Sequence, residues 1–241
     1  MSARLALAPG PGGAAAVEAD LAAFLGRLVR WDKAAVVRLR SAVDDPALGV
    51  FGQPPFGGVV AVKSLPLAES ALRADVDATV SVGQLLEAVS AAVDAREERE
   101  FTLPPSVTGP AWAGVLPPRG GWRRLAELDA ATVREVAARV VAEFRARTEA
   151  LVPERRSRAE FDALAEELWQ RSLPGGGVGM TLRAVHAAHA LGFLPARRSG
   201  EAADEPVVVL AAGAWLRLRT GYGSVAMRAA SAGRGLLVSP L

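Results

Sequence analysis

Apolar residues recur every three or four positions in several stretches of the chain, the spacing of one face of an α-helix. Three of these stretches start at a residue type that caps helices: Asp129, Ser157 and Thr181. The pattern predicts helices over residues 14–31, 82–96, 129–151, 158–171 and 181–191. The third and fourth are joined by a short basic turn, so we expect them to pack as an antiparallel hairpin.

Short β-branched or apolar runs indicate strands near both ends of the chain. In the N-terminal part they cover residues 34–39, 58–62 and 78–80. In the C-terminal part, glycine turns separate runs at 207–210, 215–219 and 224–228, the arrangement of a β-meander. The predicted fold class is α+β, with a small N-terminal α/β part, a central helical hairpin, and a C-terminal helix plus antiparallel β-meander.

Proline and glycine divide the chain into regions. Residues 1–13 are rich in both and are predicted to be a flexible tail. Residues 104–122 contain five prolines, which exclude a continuous helix and favour a connector. The remaining regions are an N-terminal α+β region, 14–103, and a region with the hairpin and the meander, 123–241. The sequence leaves open whether these two regions form one domain or two.

Length and composition indicate a folded protein that needs no metal or disulfide. The chain has 241 residues, of which 51% are hydrophobic and 22% charged, enough to build a sizeable core. It has no cysteine, which excludes disulfides, thiolate nucleophiles and cysteine zinc sites. No apolar run is long enough for a membrane span. Because prolines and glycines interrupt the apolar residues of the N-terminus, we expect a cytoplasmic protein without membrane contact.

The charges argue against a strong nucleic-acid binder. The isoelectric point is about 9.6, but 28 basic and 26 acidic side chains leave a net charge of only +2. All basic residues except Lys33 and Lys63 are arginines, whose planar guanidinium binds carboxylate or phosphate in a fork. Residues 1–105 carry 10 basic and 13 acidic side chains, whereas residues 106–241 carry 18 and 13. An anionic partner would therefore prefer the second half.

The predicted helix 181–191 carries both histidines of the chain, His186 and His189. No carboxylate lies within residues 181–200, so we predict neither a metal site nor a cofactor there. A glycine-rich loop precedes the helix, and free N–H groups at a helix N-terminus can bind an anion. A weak anion site would use Gly176, Gly177, Gly179 and Arg183. The loop lacks the Lys and Ser/Thr of a P-loop, so a plain turn between helices is the competing interpretation.

The connector and its end carry tryptophan and arginine, the residue types that most often anchor interfaces. The predicted interaction residues are Trp112, Arg119, Trp122 and Arg123. In the alternative interpretation, the two indoles cover the core where the connector crosses it.

These patterns favour a non-catalytic binding or regulatory protein that self-associates, so the expected partner is a protein. One alternative is a nucleic-acid-binding, winged-helix-like module formed by residues 158–171, residues 181–191 and the meander. Its recognition helix would be residues 181–191, which contain no Asn, Gln or Lys. These residue types, like Arg, read the edges of bases, so nucleic acid is not favoured as a partner. A second alternative is an enzyme acting on an anionic small molecule through the glycine loop, Arg183 and the two histidines. The nucleophile motif G-x-S-x-G does not occur.

Overall fold

The helices and strands of the protein were located in a computed structural model, which describes residues 4–10, 12–43, 45–68, 75–95, 100–196 and 205–229. The helices are α1 (Ala14–Trp31), α2 (Val82–Ala95), α3 (Ala130–Glu149), α4 (Arg158–Trp169) and α5 (Leu182–Ala190). The strands are β1 (Arg4–Ala6), β2 (Val36–Ser41), β3 (Ala47–Gly52), β4 (Val59–Pro66), β5 (Val76–Ser81), β6 (Glu100–Thr102), β7 (Arg123–Leu128), β8 (Val207–Ala212), β9 (Trp215–Thr220) and β10 (Gly223–Arg228). The α+β class is confirmed.

The helices begin at the residues that the sequence indicated. The side chains of Asp129 and Ser157 each accept a hydrogen bond from the backbone N–H three residues later, at 2.8 and 3.3 Å. Thr181 precedes α5, but its side chain makes no capping bond. The hairpin of α3 and α4 is confirmed, and Arg147 on α3 reaches Glu167 on α4 at 2.7 Å.

One antiparallel sheet of eight strands joins the two halves of the chain. Its strand order is β5-β2-β3-β4-β10-β9-β8-β7. The N-terminal half supplies β2 to β5 and the C-terminal half supplies β7 to β10. The halves meet where β4 pairs with β10, with Ser224 opposite Val62 and Met227 opposite Val59. The predicted meander is confirmed as β8, β9 and β10.

The helices cover one face of this sheet. Phe24 of α1, Leu85 of α2 and Val185 of α5 belong to the same hydrophobic cluster as the inward residues of the strands, such as Leu39 and Leu218. All five of these side chains are at most 1% exposed. The described parts of residues 14–103 and 123–241 therefore share one sheet and one core. No helix in the described part of the chain is long and apolar enough to cross a membrane.

The first residues of the chain require a correction. A flexible tail was predicted for residues 1–13, but residues 4–6 form β1, which pairs with β6. Leu5 is 0% and Leu7 4% exposed. Both leucines alternate with polar or small neighbours, which is the pattern of a strand with one buried face. The prolines and glycines that follow hid this pattern in the sequence. The tail prediction is thus wrong for residues 4–7.

The predicted connector, residues 104–122, contains only a short 3₁₀ turn at Ala111–Gly114. It borders the face of the large sheet opposite the helices, which we call the open face. The N–H of Val107 donates to the carbonyl of Thr79 on β5 at 2.8 Å, and Ala113 is buried outside the main core. Further along, Arg119 reaches Asp45 beside β3 at 3.2 Å. The connector therefore lies against the sheet.

Candidate binding site on the open face of the sheet

Successive side chains of a strand point to opposite faces of the sheet. Because the apolar side chains face the core, the charged ones lie on the open face. On β9, Leu216 and Leu218 point into the core, so the residues between and beside them point away. The same alternation on β2 sends Arg38 and Arg40 to the open face. We call the resulting surface the arginine–tryptophan face, formed by Arg38, Arg40, Arg119, Trp122, Trp215, Arg217, Arg219 and Arg228.

Arg217 lies on β9 within this face and is partly buried. Its Nε donates to the Ser224 hydroxyl at 2.8 Å, and its guanidinium carbon lies 5.6 Å from the centre of the Trp122 ring. It makes no ion pair within the described residues. Burial lowers the pKa of the Arg217 guanidinium below its ordinary value, and the charge of Arg219 adds to the effect. A desolvated cation without a carboxylate partner favours the approach of an anion.

Two further arginines on β2 share one carboxylate. Nε of Arg38 donates to Oδ1 of Asp77 at 2.8 Å, and Nη1 of Arg38 donates to the hydroxyl of Thr79 at 3.1 Å. Nε of Arg40 lies 3.5 Å from the same Asp77 oxygen, and it is buried without a hydrogen-bond partner. Positive charge therefore exceeds negative charge at this end of the face.

A cavity of about 260 Å³ opens between these groups. Arg40, Arg119 and Arg217 line it together with apolar residues such as Phe51 and Val62, and Pro117 and Pro118 of the connector border it. We call it the arginine pocket. Asp45 also lines the pocket and accepts a hydrogen bond from Arg119 at 3.2 Å.

The predicted interaction residues are only partly brought together. Trp122 and Arg119 lie at the arginine–tryptophan face, and the Trp122 indole donates to the carbonyl of Pro118 at 3.0 Å. Arg123 is exposed at the start of β7. Trp112 lines a separate cavity of about 540 Å³ with Asp32 and Gln53.

Sequence reasoning missed Arg40 and Arg217, the two arginines of the pocket that lie on strands. The available signal was arginine at alternate positions of two apolar strands, Arg38 and Arg40 on β2 and Arg217 and Arg219 on β9. Such alternation shows only that the four side chains leave the core. It does not show that two of them share a cavity with the connector.

Anion binding at the glycine loop stays a prediction, and the residues of the predicted site make the following contacts. The loop is a closed turn, in which the N–H of Leu173 donates to Met180 and that of Gly176 donates to Leu173. Gly177 and Gly179 have positive φ angles of 76° and 87°, as a tight turn requires. Arg183 donates instead to the carbonyl of Phe56 at 2.7 Å and to Glu166 at 2.6 Å. This geometry matches the competing interpretation, a turn between helices.

His186 packs among aromatic rings. Its ring stacks on Trp169 with centres 4.2 Å apart and meets Phe56 edge-on at 4.7 Å. Burial lowers the pKa of His186 to about 4, with a further contribution from His189. His189 itself is exposed. In the described part of the chain, no group of three His, Asp or Glu residues is arranged to hold a metal ion.

The winged-helix alternative is not favoured by the position of α5. Five of its nine residues are buried: Leu182, Ala184, Val185, Ala187 and Ala188. Arg183 of α5 is bonded to Phe56 and Glu166, and His186 packs against Trp169 and Phe56. The meander that would form the wing lies inside the eight-stranded sheet. Helix α5 therefore presents little surface to a DNA groove.

Two family models match the chain, one in each half. Residues 11–114 match the family described as "Domain of unknown function (DUF8010)", and residues 117–232 match "Domain of unknown function (DUF8185)". No curated protein matches the chain. The first match ends and the second begins inside the predicted connector, and neither description names an activity or a ligand.

Proposed function

We propose that the protein is a non-catalytic binding protein that holds an acidic protein partner on the arginine–tryptophan face. The observation that carries the proposal is Arg217, a partly buried arginine without an ion pair in the described residues, whose pKa burial lowers. A carboxylate on a partner would supply the charge-assisted hydrogen bonds that this cation lacks. Trp122 beside it offers the aromatic surface typical of interface anchors.

A protein partner fits this face better than a nucleic acid does. Tight binding of nucleic acid rests on several simultaneous phosphate contacts. Here Asp45 and Asp77 already neutralise part of the arginine charge, and the net charge of the whole chain is only +2. The indole rings that could stack on bases, Trp122 and Trp215, each carry an arginine against one side.

The edges of the sheet are poorly suited to binding another strand. The end strand β7 carries Arg123, Arg124 and Glu127, and its register shifts between Arg124 and Ala126, features that protect edge strands from pairing. At the other edge, Val107 of the connector bonds to β5. Binding through the open face therefore needs less rearrangement than extension of the sheet.

Self-association stays a prediction from the sequence. Two copies joined face to face through the arginine–tryptophan face would bring like charges together, which costs free energy. A dimer would therefore use another surface and would leave this face accessible. A cytoplasmic location is likewise a prediction from the sequence.

The first test titrates the full chain with a glutamate-rich peptide by calorimetry at low and physiological salt. We expect binding that weakens with salt, and a loss of affinity of about 30-fold in Arg217→Gln and in Trp122→Ala, because a hot-spot truncation costs about 2 kcal/mol. Arg158→Gln is the control, since the Arg158 side chain is 94% exposed on α4, away from the face. Equal binding by all variants, or tighter binding of a nucleic acid, would contradict the proposal.

A further inference from the structure

We infer that the arginine pocket binds the phosphoryl group of a phosphorylated side chain on the acidic partner. This inference rests on the proposed function and specifies the group that the face recognises. It starts from the three arginines that line one small cavity, Arg40, Arg119 and Arg217.

The charge of the pocket matches a dianion better than a single carboxylate. Among the described residues, its lining holds three arginines and one acid, Asp45. The neighbouring pair Arg38 and Asp77 adds one charge of each sign, so the excess of positive charge is unchanged. A phosphate monoester carries a charge of about −1.5 to −2 at neutral pH, whereas a carboxylate carries −1. The phosphoryl group therefore balances the pocket more completely.

The pocket also has hydrogen-bond donors to spare. Nε of Arg40 lies 3.5 Å from Asp77, and in the described part of the chain its two terminal nitrogens make no hydrogen bond. Within the described residues, Arg217 uses only Nε, toward Ser224, and Arg119 uses only one terminal nitrogen, toward Asp45. An arginine has five N–H groups and a phosphoryl group three terminal oxygens, so an incoming phosphate can satisfy several donors at once.

The size of the pocket indicates a group attached to a larger molecule. Pockets for entire small-molecule ligands usually measure about 300–1,000 Å³. The arginine pocket, at about 260 Å³, is smaller and opens on a broad face. One phosphorylated side chain fits such a site while the chain that carries it lies against Trp122 and the proline rim.

The test compares three peptides of identical acidic sequence that carry phosphoserine, serine or glutamate at the central position. Titrated into the full chain, the phosphoserine peptide should bind about ten-fold more tightly than the glutamate peptide. This preference should disappear in Arg40→Gln and in Arg217→Gln. It should also shrink as the pH falls below about 6, where the phosphate loses its second charge.

Arg228→Gln is the matched control. Arg228 lies against a tryptophan ring of the same face, Trp215, at 5.2 Å, but does not line the pocket. It should keep the phosphoserine preference. If the Arg217 variant does not fold, Arg40→Gln still tests the pocket, because the Arg40 side chain is 38% exposed.

Failure of this inference is distinguishable from failure of the proposed function. Equal affinity for the phosphoserine and serine peptides, with binding still dependent on Trp122, would overturn the phosphoryl assignment and leave the acidic partner in place. Inorganic phosphate that binds as tightly as the phosphopeptide would overturn the assignment to a partner side chain. Absence of binding by all three peptides would overturn both proposals.

Discussion

At the scale of single residues, His186 shows how a side chain that suggests chemistry can serve packing. The sequence placed two histidines on one helix, which left metal binding and catalysis to be considered. In the structure, the His186 ring stacks on Trp169 and meets Phe56 edge-on, and its Nδ1 is buried without a hydrogen-bond partner. A neutral imidazole fits that environment better than a charged one.

The position of His186 predicts a dependence of stability on pH. The pKa of His186 is about 4 in the folded protein and about 6.5 in an unfolded chain. Between these values the unfolded chain binds the proton and the native protein does not. The contribution of the neutral His186 to the free energy of unfolding is thus fully present above about pH 6.5. It is lost as the pH falls toward 4, and the total loss is up to about 3 kcal/mol.

Urea unfolding at about pH 7.5 and pH 5 measures this effect. His186→Phe keeps an aromatic ring and removes the titrating group, so its free energy of unfolding should fall less between the two pH values than that of the wild type. His189→Gln should retain most of the wild-type dependence, because burial is the larger cause of the lowered His186 pKa and His189 the smaller. Identical pH dependence in wild type and His186→Phe would show that this imidazole has no part in it.

At the scale of secondary-structure elements, the helices could be predicted and several strands could not. The apolar stripe of α1 and the cap at Asp129 are local signals, and they located the helices within two residues. Strand β7 consists mostly of charged and small residues, and only its pairing with β8 makes it a strand. Such pairing depends on contacts far apart in the sequence, which no local pattern contains.

Two glycines in different elements predict opposite effects of the same substitution. Gly223 begins β10 with φ +151°, and an added Cβ would lie 2.8 Å from the Phe193 ring. Gly223→Ala should therefore lower the free energy of unfolding by about 1–3 kcal/mol. Gly26 lies inside α1 with no atom within 4 Å of an added Cβ. Gly26→Ala should raise the free energy of unfolding by about 0.5–1 kcal/mol.

Denaturant titration of both variants checks the pair, with the wild type measured alongside. Because the side chain introduced is the same, a difference in sign reports the local environment alone. A stabilising Gly223→Ala would mean that the Phe193 ring moves without cost. A destabilising Gly26→Ala would mean that α1 packs more tightly at this position than the structure indicates.

At the scale of the whole molecule, the candidate site depends on contacts that the sequence does not reveal. Trp122 and Arg119 could be singled out because they lie in a conspicuous segment of the chain. Arg40 and Arg217 come from different halves and line one cavity because β4 pairs with β10 at the centre of the sheet. The arginine pocket therefore belongs to neither half alone, and the two family matches divide the chain within the segment that borders it.

The shared core predicts that both halves unfold together. Leu39 on β2 and Leu218 on β9 are each 0% exposed and belong to one hydrophobic cluster. Leu39→Ala and Leu218→Ala should each lower the free energy of unfolding by about 2–5 kcal/mol. Because the cluster is continuous through β4 and β10, either substitution should shift one common transition, seen alike by circular dichroism and tryptophan fluorescence. Two independent domains would instead give two transitions, with each substitution moving only one, and the arginine pocket would then sit at a loose junction and lose its fixed geometry.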